Sequence, residues 1–162
     1  MRRLIALLVV VLVTGAACDS ADDPATPEAR STSSPGSFTT ARALIDTGDD
    51  SVLLTVEVAD DDEERARGLM GRGSLPEDHG MVFIYFEEHA GGFWMKDTLI
   101  PLSIAFFDRR GEILSILDMD PCEADPCDIY NPGVSYAGAL EVNQGMFDEW
   151  DVQEGDSITI SQ

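Results

Sequence analysis

The chain has 162 residues, of which 31 are acidic and 10 basic, for a formal net charge of -21. So acidic a balance excludes a nucleic-acid reader, which needs a basic face, and opposes docking on anionic lipid headgroups. The apolar fraction of 44% is enough for one core of ordinary size.

Met1-Arg2-Arg3 is a short basic start, and residues 4–13 form an unbroken apolar run. Thr14-Gly15-Ala16-Ala17 then places small residues directly before Cys18. That order is expected of a secretory signal peptide over 1–17. The run is too short for a transmembrane helix, which needs roughly 20 apolar residues. Small residues ending on a cysteine resemble the lipobox of bacterial lipoproteins, although Gly15 stands where that pattern favours Leu. The resemblance implies that Cys18 is acylated and becomes the mature N-terminus. Simple cleavage after Ala17, leaving a free thiol, is the competing expectation. The segment 18–37 holds Asp, Ser, Thr, Ala and Pro with no large apolar side chain, so it reads as a disordered tether. An exported protein is therefore expected, held through Cys18 on the extracytoplasmic face of a membrane, in the periplasm or at the cell surface. A single β-rich domain over 38–162 follows. Arg2 and Arg3 leave with the signal and Lys96 is the lone lysine, which makes the mature surface more acidic still. Self-repulsion of this kind is relieved by salt, so a halophilic setting is expected, with simple solubility as the plainer account.

Within the domain, 38–45 and 52–58 read as strands. Val52, Leu54, Val56 and Val58 alternate with Leu53, Thr55 and Glu57, the period of a sheet with one buried face. Residues 60–70 switch to a helix, with Asp60 as N-cap, Glu63 as its capping-box partner, and Asp61–Arg65 and Glu63–Arg67 as pairs four apart. Gly68 or Gly71 ends it. Further short strands are expected at 81–86, 92–96, 102–107, 113–119, 134–142 and 157–160, with a second brief helix over 144–150. Many short strands and one or two short helices predict a mostly β fold, a sandwich or barrel. Cys122 and Cys127, an even pair in an exported chain, flank a short loop pinched by Pro121 and Pro126 and read as a disulfide. No second Cys pair or paired His is present to complete a zinc site, and His79 and His89 stand alone, so no metal or cofactor is expected.

The densest chemistry comprises Arg67-Gly68-Leu69-Met70, Gly80-Met81-Val82-Phe83, Phe93-Trp94-Met95-Lys96-Asp97-Thr98 and Ile100-Pro101-Leu102. With the Cys122 and Cys127 loop, Ala139-Leu140-Glu141-Val142 and Glu154-Gly155-Asp156, these segments resemble the domain of unknown function 192 family over roughly two-thirds of the chain. The resemblance implies a small jelly-roll-like β domain, often exported, and supplies no reaction. Asp97 stands where that family commonly has Asn, and Ser103 where it commonly has Asp.

Two readings of the Trp-Met-Lys segment stay open. In one, Phe93, Trp94 and Met95 pack the core, and Lys96-Asp97-Thr98 is a turn. In the other, Trp94 and Met95 form an apolar platform beside the polar groups of Arg67, Lys96 and Asp97, a candidate ligand site. No nucleophile elbow, metalloprotease helix or phosphate loop is present, and no two acids stand out as a glycosidase pair, so no catalytic residue is assigned. The expected role is binding a ligand, a glycan among the candidates, or an envelope protein. A purely structural or assembly lipoprotein and a hydrolase with an unrecognised carboxylate site are the alternatives.

Overall fold

Strict alternation in the first two runs buries every second side chain, and the computed structural model, which describes residues 37–161, shows two paired strands there. In β1 (Thr39–Asp46), Ala41, Ala43 and Ile45 point inward while Arg42 and Leu44 face out. It pairs antiparallel with β2 (Ser51–Ala59). The helix α1 (Asp62–Arg67) and the loop after it then carry the chain across to β3 (His79–His89), which runs parallel to β2. A parallel pair demands such a crossover, whereas the other ladders are antiparallel.

The expected cap and pairs of α1 shift by one residue. Asp61 is the N-cap, its carboxylate accepting the Glu64 N–H at 2.8 Å, and Glu64 reaches back to the Asp60 N–H. Asp61 is thereby engaged at the backbone, so Arg65 pairs with Asp62 at 2.5 Å and donates to the Ile84 carbonyl. The expected Glu63–Arg67 pair does not form. Arg67 turns instead over the ring of Phe38, 4.1 Å from its centroid. Gly68, with φ of 46°, ends the helix in a conformation that side chains with a Cβ disfavour.

The remaining elements are β4 (Phe93–Trp94), β5 (Leu102–Phe107), β6 (Ile113–Met119), β7 (Ile129–Tyr130), β8 (Tyr136–Asn143), α2 (Met146–Glu149) and β9 (Ser157–Ser161). Seven strands make one curled half-barrel in the order β6-β5-β8-β3-β2-β1-β9, and β4 and β7 form a separate two-stranded ribbon. The fold is thus mostly β, of the barrel kind, with two short helices. Its two end strands approach at one rim: Glu112 bridges Ser157, and the Ile158 N–H donates to the Gly111 carbonyl at 2.8 Å. A Cβ at position 111 would sit 2.2 Å from the Ile158 carbonyl oxygen, so glycine is what permits this approach.

The two faces of the sheet are buried differently. One carries Ile45, Leu54, Val56, Leu140 and Ile158, closed by Met146 and Phe147 of α2. The other, on the central strands, carries Met81, Phe83, Ile104, Phe106 and Ala139 and packs against Leu69, Met95 and Ile100 of the segments on either side of β3. β5 and β8 are consequently buried on both sides, which explains their nearly continuous apolar runs. Among the described residues, no helix is long and apolar enough to cross a membrane.

Candidate functional site

One residue of β8 does not suit its surroundings. Glu141 lies opposite Met81 of β3 and Ile104 of β5, on the second core face, with 5% of its surface exposed. Removing a carboxylate from water disfavours its charged form. Burial pushes Glu141 up to about 8, and neither a hydrogen bond nor a neighbouring charge contributes. At neutral pH it is therefore chiefly a protonated acid, able to donate one hydrogen bond and accept others.

Glu141 opens into a recess of about 30 Å³ that Arg67, Phe83, Trp94 and Thr98 also line. That volume admits a water molecule or a single polar group, no more. Arg67, the last residue of α1, has its Nε buried without a hydrogen-bond partner among the described residues. Buried donors are normally satisfied, so this one marks a place where an acceptor is missing. Trp94 is 48% exposed at the mouth of the recess, held by the pairing of β4 with β7, where it lies opposite Ile129.

The sequence-derived candidates divide on this geometry. Arg67 and Trp94 share the recess. Lys96 joins them through Trp94, its Nζ 5.5 Å from the ring centroid. Met95, with 2% exposure, packs into the second core and forms no surface platform with Trp94. The period of two explains the split, since Phe93 and Met95 face inward and Trp94 outward. Asp97 is exposed at φ of 53°, and its carbonyl accepts the Gly71 N–H at 2.8 Å. The Thr98 N–H closes the turn on the Met95 carbonyl at 3.2 Å. The contribution of Asp97 is to the backbone of the turn, and Asn and Asp are the side chains that best tolerate that conformation. The family's usual Asn and this chain's Asp thus meet the same requirement.

Cys122 and Cys127 are joined, with S–S of 2.07 Å and Cα atoms 5.4 Å apart. The bridged loop leads into β7, where the Tyr130 hydroxyl accepts the Asp120 N–H at 3.0 Å. Ser103 is buried on β5, donates to Asp118 across the β5–β6 pair and accepts the Gly145 N–H at 2.8 Å. A carboxylate is present there, supplied by the neighbouring strand. Cys18 and the segments 1–17 and 18–36 lie outside the described residues.

Sequence reasoning passed over Glu141 as a site residue. Its signal was present: an acid in the middle of Tyr136-Ala137-Gly138-Ala139-Leu140-Glu141-Val142, an otherwise apolar strand.

These features define a small β half-barrel with a polar recess roofed by an exposed aromatic. The chain belongs to the domain of unknown function 192 family, described as an uncharacterized ACR, which matches residues 43–160. It is similar to a protein of Sinorhizobium meliloti 1021 named as a candidate transcription regulator, with 32% identity and a TM-score of 0.72 over 76% of this chain and 95% of that one. A protein of unknown function from Novosphingobium aromaticivorans DSM 12444 shares the fold, with 23% identity and a TM-score of 0.71 over 89% of this chain and 99% of that one. No curated protein matches.

Proposed function

We propose that this chain is an exported lipoprotein, anchored through Cys18, whose β domain binds a small polar ligand of the glycan class. The observation that carries the reading is Glu141, a buried carboxyl with no hydrogen-bond partner among the described residues, lining a recess open to a ligand. A sugar hydroxyl is the complementary group: it fits the volume, accepts from Arg67, and exchanges hydrogen bonds with a protonated carboxyl. The rest of the sugar ring is too large to enter and rests against Trp94, whose flat apolar surface suits its C–H groups. The regulator name borne by the Sinorhizobium protein is not carried over, because the acidic surplus of this chain repels a phosphate backbone.

The test is a titration of the full chain with a panel of neutral oligosaccharides, read by tryptophan fluorescence. Saturable binding lost in Glu141→Ala and Trp94→Ala supports the site. No saturable response from folded wild type, or equal affinity in Glu141→Ala, removes it. Anchoring is tested separately: Cys18→Ser should move the protein from the membrane to the soluble fraction, and a wild type already soluble and unacylated by mass would refute it. A second reading, docking of an envelope protein, is favoured by the exposed neighbours Trp94 and Ile129, 48% and 60% accessible.

A further inference from the structure

A roomier concavity adjoins the recess and shares Arg67, Gly68 and Met70 with it. It is a groove of about 550 Å³ where Thr40 of β1 and Thr55 and Glu57 of β2 meet Arg67, Arg72 and His79. Arg42 borders it, donating to the Thr55 hydroxyl at 2.8 Å. In a chain with 31 acids and only 10 basic residues, three arginines are thus gathered at one place. Neutralisation there is incomplete. Arg72 pairs with Glu57 and His79 with Asp78, but Arg67 makes no ion pair among the described residues, although it stands in an acid-rich helix. Its guanidinium lies over the ring of Phe38, and its Nε is buried without an acceptor among the described residues. Arg42 likewise makes no ion pair among the described residues and spends its guanidinium on a hydroxyl of the groove wall. Two guanidiniums and two threonine hydroxyls thus line the groove against the single carboxylate of Glu57, which leaves donors in excess of acceptors.

We infer that this groove binds a small soluble anion, a carboxylate or phosphate group, on the forks of Arg67 and Arg72. Arginine suits either group because its planar N–H pairs match two oxygens at once. The overall negative charge selects for a compact anion, since an extended anionic surface would meet the surrounding acids as well. Arg67 also lines the Glu141 recess, so the two readings share that residue, whereas Arg72, Thr40, Thr55 and His79 line the groove alone and tell the two apart.

The experiment is calorimetric titration of the full chain with inorganic phosphate and with citrate, at ionic strength fixed by sodium chloride. Saturable binding by at least one of them is expected, weakened about tenfold or more in Arg67→Gln and in Arg72→Gln. Arg67→Lys keeps the charge and loses the fork, so it should fall between, and it serves if a Gln variant does not fold. Arg110→Gln, which alters a distant arginine paired with Asp108 and Glu112, should bind as wild type does. Absence of saturable binding by both anions overturns the inference. So does equal weakening in all three Gln variants, which would mark an adventitious ion only. Neutral-sugar binding retained in Arg72→Gln would show that the recess survives whichever way the groove is decided.

Discussion

Glu141 ties stability to pH in a direction opposite to that of an ion-paired carboxylate. Its ordinary value is 4.5 and burial raises it to about 8, so the folded state holds a proton that the unfolded state has released between those values. Stability is then fullest below about 4.5 and falls as pH rises toward 8, by at most about 1.4 kcal/mol per pH unit. Glu141→Gln keeps the shape and removes the titration. Its advantage over wild type in chemical denaturation should grow through that window, and a constant difference would show that Glu141 ionises freely. The neighbouring positions 94 and 95 make a second comparison. Met95→Ala should cost about 2–5 kcal/mol, as buried truncations do, and Trp94→Ala about 1 kcal/mol or less because half of its ring is in water. Thermal melts of the two variants decide it. Such details are partly open to a reader of the sequence. Trp94 and Arg67 stand out by type and spacing. Glu141 becomes meaningful only once three strands are known to bury it, and that depends on pairings with Met81 and Ile104 that are distant along the chain.

Local chemistry determines several of the secondary structures, and substitutions there should behave accordingly. Asp97→Gly should be neutral or stabilising at its positive φ, whereas Asp97→Val should cost about 1–2 kcal/mol. Equal stabilities in urea would mean that the turn relaxes. The Cys122–Cys127 bridge closes a short loop worth about 2 kcal/mol in the chain-entropy account. Its thiols should resist alkylation of native protein until a reductant is added. Where periodicity is clean the reading from sequence succeeds: the expected spans 102–107 and 113–119 coincide with β5 and β6. It misses β7, because two residues carry no period, and their pairing with β4 arises from tertiary contact. It extends β4 too far, because Met95 continues the apolar alternation while Lys96 and Asp97 already turn. The helix cap is displaced by one residue because Asp60, Asp61 and Asp62 are all competent caps, and only the angle of exit from β2 selects among them.

The acid surplus acts on the molecule as one body. Repulsion among so many like charges opposes compaction, and a screening length of about 10 Å at 0.1 M salt falls to about 3 Å at 1 M. The melting temperature should therefore climb between dilute buffer and molar sodium chloride, and a flat profile would remove the saline reading of the composition. The curled sheet has a further consequence, a mechanical one. Any pull from the chain preceding Thr39 enters the domain through β1, and β1 is held on both sides, by β2 along Thr39–Asp46 and by β9 from Arg42 to Asp46. Tension along that strand loads two ladders in shear at once, and their hydrogen bonds must slide together before the strand leaves. Drag on the chain ahead of the domain would be resisted at β1. Force spectroscopy with handles at Ser37 and in the Gln153–Asp156 turn should record a high, abrupt rupture rather than gradual peeling.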